Sequence, residues 1–169
     1  LACISLCNTY GISKEHIKIA LAKFKGADRR FEFKGNVNGA KVYDDYGHHP
    51  TEILATAKAL KNKQYNKSWV VFQPHTYSRT YNLLKDFANA LTIFDNIIVT
   101  DIYAARETNI YNISSKDLVD EINKLGKNAI YISSLEDCAE YLKKNVIKDD
   151  IVLTLGAGTV TNIGPMIIE

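Results

Sequence analysis

Apolar and polar positions along this 169-residue chain follow two regimes. Over the first 24 residues apolar side chains recur at helical spacing, as at Ile17, Ala20, Leu21 and Phe24, which predicts two short helices over 1–9 and 14–24. Gly11-Ile12-Ser13 breaks them apart, and Ser13 ahead of Glu15-His16 is a fair N-cap. Lys25-Gly26-Ala27-Asp28 ends the pair. From there Phe31-Glu32-Phe33-Lys34-Gly35 alternates as a strand, Asn36-Val37-Asn38-Gly39 turns the chain, and residues 40–44 return as a second strand. Asn38-Gly39 is a strong hairpin signal. The period then switches between 3.6 and two. Helices are predicted over 51–62, 79–91, 115–125 and 135–145, and strands over 68–72, 96–100, 128–132 and 151–155, with a last helix starting near Thr161.

Short apolar strands separated by helices of this kind predict an α/β fold. With right-handed crossovers it becomes a Rossmann-like, doubly wound, mostly parallel sheet. The strand at 31–35 supplies one antiparallel edge, and a short helical segment precedes the sheet. Composition adds exclusions. Apolar content of 46% argues against disorder, and a net charge of +2 gives no reason to expect nucleic acid or an anionic membrane as partner. No apolar run approaches the roughly 20 residues of a membrane span, and the first residues lack the basic region of a signal peptide. Three cysteines, Cys3, Cys7 and Cys138, form no Cys-x-x-Cys pair, so free buried thiols in a reducing cytosol are the expectation, with Cys138 in the core. The chain starts on Leu1 instead of Met, so it is expected to be a piece of something longer.

In a parallel sheet, ligands bind beyond the carboxyl ends of the strands. Those ends carry the chemistry here: Asp44-Asp45-Tyr46-Gly47-His48-His49-Pro50, Gln73-Pro74-His75-Thr76-Tyr77-Ser78-Arg79, Asp101-Ile102-Tyr103-Ala104-Ala105-Arg106-Glu107, and Gly156-Ala157-Gly158-Thr159. Three of the four histidines lie on this edge, whereas the opposite edge offers mostly Lys, Asn and Asp of solvated turns. Bland alternatives stand beside each. Asp44-Asp45 can end a strand and cap a helix, and His48-His49-Pro50 can be a turn with Pro50 at the first helical position. Tyr77 and Tyr103 read as packing residues. Arg79 is the strongest single candidate, because a cation near a helix N-terminus opposes the dipole and implies a compensating anion. Gly156-Ala157-Gly158 lacks the third glycine of a dinucleotide fingerprint and follows the last strand, but its helix start can still hold an anion. No P-loop occurs in the chain.

These strand-end motifs, in this order and with Arg29-Arg30-Phe31 ahead of them, resemble the Mur ligase family of peptidoglycan synthesis, and within it the members that join L-alanine to UDP-N-acetylmuramate. The resemblance implies residues 1–27 as the last helices of a central ATPase domain and 28–169 as the C-terminal domain. It implies a cytoplasmic, ATP-dependent, amide-forming ligase acting through an acyl phosphate, with this chain alone inactive. The implied partners are L-alanine, ATP and UDP-N-acetylmuramate, and ATP with Mg2+ is implied to sit mainly on the missing central domain. Carried over by residue, Arg79 binds the alanine carboxylate, Tyr46, His48 and His75 lie beside the amino acid, and Asp45, Arg30 and His49 contact the nucleotide. Thr76 stands where other members carry a second arginine, and Arg106 where many have glycine. The apolar face of residues 1–24 would meet the central domain or a second copy in a dimer.

Two rival classes share some of these residues. A response-regulator receiver domain also has an acidic pair after its first parallel strand and an Asp after its third, as Asp44-Asp45 and Asp101 here. Its lysine after the fifth strand has no counterpart in Leu155-Gly156-Ala157. A metal-dependent hydrolase could use Asp44, His48, His49 and His75.

Overall fold

The structure is a computed structural model that describes residues 1–24 and 26–168. Helices α1 (Ala2–Thr9) and α2 (Lys14–Lys23) come first, followed by strands β1 (Glu32–Val37) and β2 (Ala40–Asp45). Then come α3 (Pro50–Leu60), β3 (Ser68–Phe72), α4 (Tyr77–Asn82), α5 (Leu84–Leu91) and β4 (Asn96–Val99). The chain closes with α6 (Ser115–Lys124), β5 (Ala129–Tyr131), α7 (Leu135–Asn145), β6 (Ile151–Leu155), a 3-10 turn over Thr159–Asn162 and α8 (Ile163–Ile167).

The sheet order is β1-β2-β6-β3-β4-β5, with β1 antiparallel at one edge and the remaining five strands parallel. Alternation along each strand sends neighbouring side chains to opposite faces and builds two cores. Tyr43, Val70, Phe72, Ile97, Val99, Leu153 and Leu155 pack under α3, α5 and α6. Val42, Trp69, Val71, Ile98 and Val152 pack under α7 and α8. A sheet covered on both faces buries every strand position, so β3 and β6 are buried along their whole length and are apolar apart from Ser68 and Thr154.

The hairpin forms where Asn38-Gly39 predicts it, with both residues at positive φ (50° and 80°) as a type I′ turn needs. The strand before it runs two residues further than the alternation suggests, to Val37, and starts at Glu32. Phe31 leaves the strand because its φ is 48° and its ring stacks on Tyr43 at 4.6 Å. The helix expected over 79–91 is two helices: Leu83 (φ −113°, ψ 20°) breaks the spiral, so that α5 can bury Phe87, Ala88, Ala90 and Leu91. Ser13 caps α2 by accepting the His16 N–H, as read from the sequence. Of the apolar positions on α2, only Ile17 is buried among the described residues, while Leu21 and Phe24 are exposed. Neither core draws a residue from α1 or α2. The thiols divide likewise: Cys138 is buried, but Cys3 is exposed and Cys7 half-exposed, against the expectation of buried thiols. No helix among the described residues is long and apolar enough to cross a membrane.

At the N-terminal edge, Asp150 is 2% exposed and accepts from Trp69 Nε1 (2.9 Å), Asn66 Nδ2 (3.0 Å), the Lys67 N–H (3.1 Å) and the Ile147 N–H (3.3 Å). Asp150→Ala strands these donors and is expected to lower the unfolding free energy by about 3 kcal/mol in urea titration.

Candidate functional site

Parallel strands share one direction, so β2, β6, β3, β4 and β5 all deliver their carboxyl ends to the same edge. At the end of β2, Asp44 has no exposed surface. Its Oδ2 accepts from Arg29 Nε and Thr161 Oγ1, both at 3.0 Å, and its Oδ1 from Thr154 Oγ1 at 2.6 Å. Arg29 Nη2 reaches across to the Gly156 carbonyl at 2.6 Å. Asp45 is 6% exposed and points to the other side of the strand, where its oxygens accept from the Phe31 and Gly47 N–H groups, each at 2.8 Å. Both acids therefore lock backbone and arginine in place. Neither caps α3.

His49 does that capping. Its Nδ1 accepts the Thr51 N–H at 3.3 Å, and Glu52 accepts the N–H groups of His48 and His49 at 2.9 and 3.1 Å, with Pro50 at the first helical position. Burial works against ionisation of Glu52, but those two N–H groups and the charges of His48 and Arg30 outweigh it and hold its pKa below 4.5. Arg30 is exposed, with Nη1 3.8 Å from Glu52 Oε1. Arg30, Asp45 and Glu52 line one cleft of about 290 Å³ together with Ala55, Thr56 and Ala59. His49 opens onto a separate cleft of about 310 Å³ with Leu54, Asp86 and Asn89, so the structure joins Arg30 to Asp45 but not to His49.

A second group gathers at the ends of β2, β3 and β4. The rings of Tyr46 and His48 meet edge to face at 5.5 Å, His48 lies 5.9 Å from His75, and His75 stacks on Tyr103 at 5.5 Å. Arg79 Nη1 donates to the His75 carbonyl at 3.1 Å and lies 3.2 Å from His75 Nδ1. Burial, then the charges of Arg79 and His48, push the His75 pKa below 6.5. A neutral imidazole can accept from the guanidinium and hold it in place. The loop after β4 fastens this group. Tyr103 exchanges hydrogen bonds with Pro74 and Thr76, and Thr76 adopts φ 70°, ψ 143°, a strained conformation for a β-branched residue. Glu107 accepts the Ser78 N–H and hydroxyl, the first cause of its lowered pKa, with Arg79 contributing. The anion that Arg79 implied at its helix start is thus supplied in part by the chain itself. Asp101 is occupied by Tyr131 and Ser133.

The glycine loop after β6 is packed from below. A Cβ on Gly158 would fall 2.3 Å from Gln73 Oε1 and 2.8 Å from Tyr103 Cγ. Gln73 takes the Val160 N–H at 3.0 Å, so one of the N–H groups of that helix start is already engaged. No three His, Cys, Asp or Glu side chains converge among the described residues. Asp44, His48, His49 and His75 therefore do not assemble as a hydrolase centre would need. Burial raises the Cys138 thiol to about 12, which removes it as a nucleophile. A larger cavity of about 620 Å³ opens at the opposite edge beside Lys41, Lys63 and Asp149, away from every residue of the strand-end group. Sequence reading assigned Arg29, Gln73 and Glu107 no role of their own, while Tyr103 packs on His75 as its residue type suggested.

Comparison with known proteins shows the family of this fold. The family model described as "Mur ligase, glutamate ligase domain" matches residues 29–158. The UDP-N-acetylmuramate–L-alanine ligase of Lachnospira eligens is 47% identical over all of this chain and 37% of its own length. That of Caldanaerobacter subterraneus is 50% identical over 99% of this chain and 37% of its own length. The chain thus spans little over a third of these curated relatives. Among solved structures, the UDP-N-acetylmuramate–alanine ligase MurC of Thermotoga maritima superposes with a TM-score of 0.74 at 29% identity, covering 96% of this chain and 34% of that one. The MurF ligase of the same organism, in complex with ADP, shares the fold with a TM-score of 0.65 at 20% identity, over 97% of this chain and 35% of that one.

Two measurements probe the local chemistry. His75 binds its proton more weakly folded than unfolded, so stability falls as pH drops from above 6.5 toward its folded midpoint. His75→Gln is expected to flatten that part of the curve in urea titrations between about pH 7.5 and about pH 5.5. A thiol reagent is expected to modify Cys3 and Cys7 in the native chain and Cys138 only after unfolding, read by mass spectrometry of the labelled peptides.

Proposed function

The chain belongs to the Mur ligase family, and from that premise we propose that it is the amino-acid-positioning domain of the ATP-dependent ligase that adds L-alanine to UDP-N-acetylmuramate in peptidoglycan synthesis. The observation that carries this reading is Arg79, held at the strand edge by His75, whose ring adjoins His48 and Tyr103. A guanidinium presents a planar pair of donors that suits a carboxylate.

In the proposed reaction ATP phosphorylates the lactyl carboxylate of the sugar nucleotide. The alanine amine attacks the resulting acyl phosphate, the C–N bond forms, and inorganic phosphate leaves. The work of this chain is orientation. Arg79 binds the alanine carboxylate, Tyr46, His48 and His75 wall the side chain, and the free amine points toward the acyl carbon. Holding two reactants in this way removes several kcal/mol of the barrier, and closing the edge over the acyl phosphate keeps water from it. Arg30 and Asp45, which share a cleft, are proposed on the nucleotide side, with His49 at its margin. The phosphate-binding loop and the Mg2+ ligands belong to protein beyond these residues. Residues 1–27 are read as the end of an ATPase domain and 28–169 as this domain. The apolar side of α1 and α2, around Ile4, Leu21 and Phe24, faces that neighbour or a second copy. A need for ATP and a UDP-sugar places the enzyme in the cytoplasm.

Arg79→Ala in the complete ligase is expected to raise the L-alanine KM roughly 100-fold, the loss of a charge-assisted pair of about 3 kcal/mol, with the ATP KM little changed. An unchanged alanine KM in steady-state kinetics sinks the assignment. The 169-residue chain given all three substrates is expected to form no amide bond, and product detected by mass spectrometry would overturn the division of labour.

A further inference from the structure

Arg29 is assigned no ligand, yet it touches Asp44, Gly156 and Tyr46 at the site edge. Its φ is 54°, its N–H donates to Glu32 at 2.8 Å, and its carbonyl accepts the Tyr46 N–H at 2.7 Å. Its guanidinium spans two strand ends, with Nε on Asp44 and Nη2 on the Gly156 carbonyl, and its face lies 4.8 Å from the centre of the Tyr46 ring. Tyr46 is 37% exposed and belongs to neither core cluster among the described residues. Stacking on the fixed Arg29 cation helps give this ring a defined place, with the Arg30 guanidinium 6.0 Å from its centre and the His48 ring at its edge. From Tyr46 the contacts run on through His48 and His75 to Arg79.

We propose that the pair of half-buried Arg29 with buried Asp44 is the positioning element of the amino-acid pocket: it fixes the Tyr46 ring and, through it, the imidazoles of His48 and His75 beside Arg79. This rests on the reading of that group as the L-alanine pocket. Asp44 is not a ligand-binding carboxylate, because it has no exposed surface and both oxygens are engaged. Its task is to hold the arginine in one orientation. Arginine is required because a planar fork can bridge Asp44 and Gly156 while offering a face to Tyr46. A lysine ammonium keeps the charge and loses the rest.

Arg29→Lys tests this, with Thr161→Val as the control that removes one bond to Asp44 and leaves Arg29 untouched. In NMR spectra of the 169-residue chain, Arg29→Lys is expected to move the ring resonances of Tyr46, His48 and His75, while Thr161→Val lowers stability and leaves them in place. In the complete ligase, Arg29→Lys is expected to raise the L-alanine KM about tenfold, as a small misplacement of positioning groups does, with the ATP KM unchanged. Unmoved ring resonances overturn the proposal. Should Arg29→Lys fail to fold, Tyr46→Leu at the exposed ring takes its place, and unmoved His48 and His75 resonances there overturn it equally. An unchanged alanine KM in Arg29→Lys, where Arg79→Ala does raise it, also overturns it. An unchanged KM in both variants overturns the alanine reading instead, and the ring resonances then decide the positioning role alone.

Discussion

Asp44 sits at the carboxyl end of β2 without access to water, and a carboxylate in that place is tolerated only if every lone pair meets a donor. Three side chains meet that demand: Arg29 from the segment ahead of the sheet, Thr154 from the neighbouring strand, and Thr161 from the turn beyond it. The requirement ties together parts of the chain that are far apart in sequence. It brings the incoming peptide onto the sheet edge, seats the loop after β6, and places a cation beneath Tyr46. Taking a partner from the buried Asp44 carboxylate costs several kcal/mol, whereas an exposed pair such as Lys144–Glu140 contributes little.

Around this anchor the edge divides into two kinds of material. The parallel strands supply rigid starting points, and the loops supply chemistry. The loop after β2 is stiffened by the His49 cap and Glu52. The long connection after β4 is fastened to α4 by Glu107 on Ser78 and by the stacking of Tyr111 on Tyr81. Arg79 lies on that short helix, so its position depends on a loop. Thr76, held at a strained φ by its bond to Tyr103, marks where this fastening is tightest.

A domain of this design suits a reaction whose difficulty is bringing two small molecules together. Its polar groups at the edge are committed to one another before any ligand arrives, which lowers the entropy lost on binding. Receiver-type chemistry does not fit the same edge: Asp44 is sealed in an ion pair, Asp101 is held by Tyr131 and Ser133, and the family match leaves that reading without support.

The sequence alone carried the layer order, the antiparallel first strand and the edge where chemistry gathers. Periodicity reports which residues meet the core, and a parallel sheet leaves one place for strand ends. Asn38-Gly39, Ser13 and Pro50 were legible because their effects act within a few residues. The break at Leu83, the exposure of Cys3 and Leu21, and the packing of Gln73 beneath Gly158 were not, since each depends on what a distant segment places beside it. The same holds for the division between Asp44 and Asp45. Adjacent acids read alike in a sequence, and strand alternation sends one toward Arg29 and the other toward Phe31 and Gly47. Residue identity determined which groups reached the edge; tertiary structure decided their partners, because burial and hydrogen bonding are set by neighbours more than a hundred residues away, as for Arg29 and Gly156.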